Sequence, residues 1–344
     1  MSKNRLCEGE MHTVKMLLKK RETVLGLIII ILVAIITPLA PSFLTYDNIT
    51  NILKAYTVLG IFSIGVLLVI ISGGVDVSFT AIAQVVQYVV VYILLNYFTG
   101  NITVAIIMAL IIGTTMGLFN GFLIYHYNMP AIIITIATQS LFYGLLYVIT
   151  KGKFLYEIPR YFWRLADAKI FVDSANAAIG LSVVTVIWFF LALFFSLLLR
   201  YTIMGRSIYL IGCNRTAAQR AGINVLKTTL FIYGVTGAIS AIASIVHVSI
   251  VQTVVPSSIV GQEMQVIAAV VLGGASITGG RGTVAGTVLG VLLFSILSNA
   301  LTLLKISSYW YNVFIGIIIL GSVIINAVQE IRQRRHIVRV NVAE

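Results

Sequence analysis

Charge is what this sequence has least of. Of its 344 residues, 23 are basic and 11 acidic, and charged residues make up 10% of the chain against 59% hydrophobic. A soluble domain carries about a quarter charged residues, so a water-soluble globular enzyme, a disordered tail and a nucleic-acid binder are all excluded. Cysteine is nearly absent as well. Cys7 and Cys213 cannot build a disulfide framework, and no metal-type Cys/His spacing surrounds either. No G-x-x-x-x-G-K-[ST] phosphate loop occurs, so the chain does not hydrolyse ATP by that route. There is no G-x-S-G serine site, and Gly74-Val75-Asp76 lacks the rest of a glycine-aspartate protease arrangement. Two of the four histidines, His12 and His336, sit on tails. His126 and His247 lie near apolar runs, where a lone histidine is more often a packing residue than a catalyst. The apolar runs also lack the intramembrane Lys, Arg or paired carboxylates of an ion-coupled pump. Nothing here points to an enzyme or to a bound cofactor or metal.

What the chain does have is long charge-free runs, each measured against the roughly 20 residues that cross a bilayer. Residues 23–46 form one span, closing at Pro38 and Pro41, and 55–75, between Lys54 and Asp76, form a second. From Val77 to Thr150 no Asp, Glu, Lys or Arg occurs, enough for three spans divided at Thr99-Gly100-Asn101 and at Tyr127-Asn128-Met129-Pro130. Further spans are expected near 178–199, 228–250, 262–278, 283–303 and 309–328, about ten in all. The 262–278 element, opening at Glu263, is the shortest and has a re-entrant alternative. The expected fold is an all-α integral membrane protein. Residues 1–22 precede a single transmembrane domain over 23–328, which has an outer loop at 151–176 and an inner loop at 200–227, and a basic tail follows at 329–344. With the N-terminus inside, 16 basic residues fall on the cytoplasmic side and seven outside, the usual bias. Both termini are then cytoplasmic, and an uncleaved first helix is expected.

Polar groups inside the spans are few. Asp76 follows Ser72-Gly73-Gly74-Val75, where paired glycines invite unwound backbone, tolerated only when buried or lining a cavity. Two roles are open to it: capping freed backbone N–H groups, or facing a polar solute. Glu263 stands where it would stabilise a helix N-terminus. Asn120, Gln139, Gln84, Gln87 and Asn299 must find hydrogen-bond partners, usually on another helix. Gln139 beside Phe142 and Tyr143 is the most sugar-like grouping, an amide next to aromatic faces. Asp76, Asn120, Gln139, Phe142, Tyr143 and Asn299 are therefore the candidate solute-pathway residues.

Two spans carry glycine at every fourth position: Gly113, Gly117 and Gly121, and Gly282, Gly286 and Gly290. Each run clears a helix face for close packing. The offset of 169 residues between them would map spans two to five onto seven to ten in opposite orientation, an inverted repeat of the kind many transporters use. The alternative is two independent glycine faces.

The inner loop from Arg200 to Lys227 has five basic residues and no acidic ones. It contains a helix-prone Arg215 to Ala221 piece, bounded by Asn214 and by Gly222 in the usual helix-ending position. It is either an ordinary positive inner loop or a helix shaped for a groove on a soluble partner.

This loop, the segment Ala268-Ala-Val-Val-Leu-Gly-Gly-Ala-Ser-Ile-Thr-Gly-Gly-Arg-Gly-Thr283, and Ile71-Ser-Gly-Gly-Val-Asp-Val-Ser78 resemble the ribose/simple-sugar family of ABC transporter permeases. The resemblance runs from about residue 24 to 328. It implies a type II ABC-importer-like permease of ten spans that pairs with a second permease chain, identical or related, in a bacterial inner membrane. It also implies a cytosolic ABC ATPase dimer using ATP and Mg, an extracytoplasmic sugar-binding protein, lipid around the bundle and no nucleic acid. Carried over by position, Gly205, Arg206, Asn214, Ala218, Arg220 and Gly222 would form the ATPase coupling surface. Asp76, Asn120, Glu263, Gly273, Gly274 and Gly280 would fall in membrane motifs. The chain departs from the pattern at Phe79-Thr80, where valine and glycine are usual, and at Tyr143-Gly144, where arginine-glycine is frequent. The function implied is translocation of a monosaccharide or similar polyol. Autoinducer-2 import by the same family is an alternative. An ATP-independent secondary transporter and a membrane receptor or scaffold are alternatives from other classes.

Overall fold

The computed structural model describes residues 21–97, 100–172, 179–307, 309–310, 313–314, 316–317 and 320–321. The N-terminal segment, Cys7, the basic tail and most of the expected 309–328 span lie outside the described residues.

The chain forms α1 (Arg21–Leu39), α2 (Tyr46–Ile71), α3 (Phe79–Asn96), α4 (Ile102–Tyr127) and α5 (Ala131–Thr150). After these come a short α6 (Arg160–Asp167) and a two-residue antiparallel pair, β1 (Lys169–Ile170) with β2 (Leu181–Ser182). The rest is α7 (Val183–Tyr201), α8 (Ile203–Cys213), α9 (Arg215–Arg220), α10 (Val225–Val251), α11 (Glu263–Leu272) and α12 (Val284–Leu303).

Breaks read from the sequence are real ends with identifiable chemistry. Asn101 caps α4, its side chain accepting from the Val104 N–H at 2.9 Å. Asn128 takes a left-handed φ of 49° between α4 and α5, and Pro130 opens α5. The second span begins earlier than its charge boundary suggested. α2 starts at Tyr46, capped by Thr45, and bends by 47° between Tyr46–Ala55 and Thr57–Ile71. At the bend Thr57 Oγ1 donates back to the Leu53 carbonyl at 2.8 Å, a bond that tends to flex helices.

Among the described residues seven helices are long and apolar enough to cross a membrane, and the bent α2 makes eight. The expected count of about ten is not confirmed among the described residues. The 262–278 element is a ten-residue helix, α11, about 15 Å long and half the hydrocarbon thickness. The rest of that span, 273–278, is irregular, as are residues 252–262 leading into α11 and 279–283 beyond it.

α2 and α10 form the centre, almost wholly buried along their inner halves, with Thr236 Oγ1 donating to the Gly65 carbonyl at 3.2 Å. α4 lies against α10 along the first glycine run. A Cβ on Gly113 would stand 2.8 Å from Ala241 Cβ, and one on Gly117 3.1 Å from Gly237 Cα. The second run meets a different partner. Gly286 abuts Gly273, and Gly290 abuts Ala269 and Gly273, all at the end of α11. Equal spacing in the two runs therefore serves unlike neighbours, so the glycines themselves do not demonstrate a repeat. Apolar side chains such as Ile30, Ile111, Val148, Ile149, Phe190 and Leu193 are exposed on the outer faces of α1, α4, α5 and α7. On a multi-pass membrane protein such faces meet lipid or another subunit.

Candidate functional site

The polar groups gather where broken helices begin. α2 ends at Ile71, and Gly73, at a φ of +83°, turns the chain back toward α3. Asp76 is 1% exposed. Its Oδ1 accepts from the Ser78 N–H at 2.7 Å and the Ser78 hydroxyl at 2.6 Å. The carboxylate thus closes the turn into α3, the capping role weighed for it from the sequence. Asn120 of α4 joins this turn, its Nδ2 donating to Ser78 Oγ at 2.7 Å. The Asn120 Oδ1 is buried with no partner among the described residues. Thr135 of α5 adds a third element. Its hydroxyl donates to the Val75 carbonyl at 3.3 Å and accepts from the Val77 N–H at 3.4 Å.

One turn further, a second cluster forms around Glu263, the first residue of α11 and 7% exposed. Its Oε1 accepts from Thr80 Oγ1 of α3 and from Gln139 Nε2 of α5 at 2.6 Å. Both carboxylate oxygens accept from the Gly261 N–H, at 3.1 and 3.0 Å. The N-termini of α3 and α11 therefore meet inside the bundle, each with a carboxylate at its positive end. An ionisable group at that depth is expensive and usually functional.

The irregular 252–262 segment is tolerable inside the bundle because α3 satisfies its backbone. Gln84 donates to the Val255 carbonyl at 2.7 Å and accepts from the Ile259 N–H at 3.0 Å. Gln87 donates to Ser258 Oγ at 3.1 Å and meets His247 Nδ1 at 3.1 Å. Thr80, Gln84 and Gln87 are spaced to share one face of α3, so that face is a polar seam against unwound backbone. His247 is the packing histidine that a lone His suggests.

Of the pathway candidates, Asp76, Asn120 and Gln139 belong to these two linked clusters. Phe142 lies one turn beyond Gln139 and packs against Phe119 with ring centroids 6.3 Å apart. Tyr143 packs edge-on to Tyr147 at 5.0 Å. Asn299 stands apart. Both ends of its amide are taken by Asn48 of α2, at 2.9 and 3.0 Å, which makes it a clasp between α12 and α2. Thr80 and Thr135 were missed from the sequence, although Thr80 is one of the departures from the family pattern.

At the opposite end of the bundle from α6, the loop expected at 200–227 is more ordered than the sequence suggested. α8 precedes the short helix, which forms as α9 with Asn214 Oδ1 accepting from the Ala217 N–H at 3.0 Å. Gly222, at a φ of +83°, follows its end. Ala218 is buried against Ile211 and Val225, while Arg206 and Arg220 are exposed. Gly205, in the first turn of α8, packs on the end of α7, where any Cβ would strike the Leu198 and Leu199 carbonyls.

α8 is locked to the loops that carry the polar clusters. Tyr209 donates to the Gly282 carbonyl at 2.7 Å, and the Gly280 N–H donates to the Ile71 carbonyl at 2.8 Å. Burial pushes the Tyr209 phenol above its ordinary range. A Cβ on Gly212 would collide with the Ile71 carbonyl and lie 2.6 Å from the Gly280 nitrogen. A cavity of about 320 Å³ opens beside this joint, lined by Gly73, Gly74, Pro130, Asn214, Arg215 and Tyr233. No group of His, Cys, Asp or Glu suited to a metal ion occurs among the described residues.

Broken helices, buried polar seams and an exposed basic segment locked to them define a multi-pass membrane permease. The family model described as "Branched-chain amino acid transport system / permease component" matches residues 48–323. The ribose import permease protein of Escherichia coli (strain K12) is 31% identical over 322 residues, covering 92% of this chain and 97% of that protein. The ribose import permease protein of Haemophilus influenzae is 35% identical over 302 residues, 86% of this chain and 90% of that one. The autoinducer 2 import system permease protein of Enterobacter sp. (strain 638) is 30% identical over 312 residues, 91% and 88% respectively. No solved structure matches the chain. The chain belongs to this permease family, among the ribose/simple-sugar ABC permeases.

Proposed function

We propose that the chain is the transmembrane permease subunit of a bacterial ABC importer for a monosaccharide or similar small polyol. A binding protein delivers the solute, and a separate ATPase using ATP and Mg drives the step. The observation that carries this reading is the α8 joint. α8, which runs into the basic α9, is bonded through Tyr209 to the Gly282 carbonyl in the loop after α11. Its Gly212 packs on the Ile71 carbonyl, which ends α2 and also accepts from the Gly280 N–H. Asp76 follows α2, and Glu263 opens α11. Displacement of α9 by a partner is transmitted to the polar clusters because packed glycine joints do not deform continuously. α5 is the element best placed to move, since its outer face is largely exposed and Thr135 and Gln139 tie it to the seam.

In this scheme α9 lies on the cytoplasmic side, α6 and the 151–176 loop face outward toward the binding protein, and two permease chains complete the pathway. The tenth span and the inverted arrangement of the two halves belong to the same proposal. A solute rich in hydroxyls suits amides and carboxylates already engaged in hydrogen bonds, because it can exchange with them one for one. The autoinducer 2 permease relative supports a second reading with the same mechanism and a different polyol-like cargo.

Arg220 tests the coupling surface. It is exposed at the end of α9, so Arg220→Glu leaves the bundle intact. Co-purification with the ATPase is expected to fall about tenfold or more on charge reversal. Arg160→Glu, an exposed reversal on α6, is expected to leave it unchanged. Full ATPase association by Arg220→Glu would overturn the coupling role of α9.

A further inference from the structure

A groove of about 520 Å³ lies between α3 and α5, over the half of those helices nearer α6. Val85, Val89 and Tyr92 of α3 line it together with Leu145 and Ile149 of α5, and Met116 of α4 contributes from behind. At the other end the same two helices are held together, through Thr135 to Val75 and Val77 and through Gln139 and Thr80 to Glu263. The groove's lining ends at Lys151 and Lys153, which follow directly on the last residue of α5. α5 has 20 residues and a length of about 30 Å, so these lysines stand at headgroup depth while the walls stand in hydrocarbon. Both lysines are exposed, and neither forms an ion pair among the described residues.

We propose that this groove is a binding site for an anionic phospholipid, its acyl chain between α3 and α5 and its phosphate on Lys151 and Lys153. An amphiphile with a negative head matches both halves of the site: apolar walls bury the chain, and two interfacial cations attract the head. A neutral polyol leaves the apolar walls and both cations unmatched. A second copy of this chain fits less well, because α1, α4, α5 and α7, which carry exposed apolar faces, hold one acidic residue between them. That residue is Glu22 at the start of α1, and it already accepts from the Thr283 hydroxyl. Phe142 also lines the groove, one turn from Gln139, so a lipid seated there braces the part of α5 that reaches Glu263. The site stands on its own geometry and does not depend on what the permease carries.

The test is lipid retention by the full-length chain. Protein reconstituted in equal parts phosphatidylglycerol and phosphatidylcholine is extracted in mild detergent, and its bound lipid is read by native mass spectrometry. Phosphatidylglycerol is expected to be retained over phosphatidylcholine by roughly tenfold, the scale set by two interfacial lysines. Lys151→Gln with Lys153→Gln is expected to bring that ratio near one, and Leu145→Trp, which fills the groove, to lower retention of both lipids. Millimolar glycerol 3-phosphate is expected to displace nothing. Equal retention in the wild type, a preference that survives the double lysine change, or displacement by glycerol 3-phosphate would overturn the proposal. Disulfide cross-links between two copies carrying Ile149→Cys would overturn it too, since the groove would then be covered by protein.

Discussion

Gly237→Leu is expected to abolish recovery of folded protein. Gly237 of α10 sits against Gly113 and Gly117 of α4, where a Cβ would strike the Gly113 carbonyl and lie 3.0 Å from Gly117 Cα. No side chain separates the two helices there, so even alanine must push backbone from backbone. Gly237→Ala is expected to lower stability by about 1–3 kcal/mol, the ordinary cost of overpacking, and leucine by more than the protein can lose. Gly144→Ala is the matched control. Its Cβ meets nothing within 4 Å, and removing a glycine from a helix interior is worth about 0.5–1 kcal/mol in the stabilising direction. Fluorescence-detected size exclusion with a thermal ramp reads all three. If Gly237→Leu behaved like Gly144→Ala, the α4–α10 contact would be wrong.

Glu263→Ala comes second. It strands three donors: the Thr80 hydroxyl, the Gln139 amide and the Gly261 N–H. Thr80 is buried, Gln139 half-buried and Gly261 exposed, and the Thr80 hydroxyl keeps the Val77 carbonyl at 3.4 Å. At about 1–3 kcal/mol per fully buried unsatisfied group, the total loss is expected to be about 2–3 kcal/mol. A fall in melting midpoint of roughly 5–10 °C follows, at about 2–4 °C per kcal/mol. Uptake is expected to drop at least tenfold, because α5 loses its bond to α11 and Phe142 its fixed position. Glu263→Gln is expected to be far milder. Its amide oxygen still accepts from Gly261 and Thr80, and Gln139 can turn its own amide to accept. Alanine and glutamine variants of equal stability would show that these hydrogen bonds do not hold the two short helices together.

Single-sequence reading reached whatever depends on neighbours along the chain. The charge-free runs, with Asn101, Asn128 and Pro130 between them, placed α3, α4 and α5 nearly to the residue. Asn214 and Gly222 framed α9 in the same way. Pairing across the fold was not legible. Thr80 and Glu263 are 183 residues apart, and neither side chain announces the other. Asn299 looked like a pathway amide because an intramembrane asparagine needs a partner, but nothing local says that the partner is Asn48. α8 was missed because its apolar sequence continues that of α7, with only Thr202 marking the break. The short α11 was read as part of a 262–278 span because no charge separates Glu263 from Arg281, although the helix stops at Leu272 and Gly274 turns at a φ of 97°. Nothing local marked residues 252–262 before it as unwound backbone inside the bundle. Their backbone is satisfied instead by Gln84 and Gln87 of α3, residues that the sequence marked only as amides in need of partners.

The most direct measurement is accumulation of labelled monosaccharides and small polyols in proteoliposomes holding the full-length chain, with and without its ATPase and binding protein. Accumulation above the external concentration is expected when both partners and hydrolysable ATP are present, and to be lost when the ATPase is omitted or Arg220→Glu is introduced. Accumulation by the chain alone, driven by an ion gradient or by nothing added, would contradict a permease whose power stroke arrives through α9.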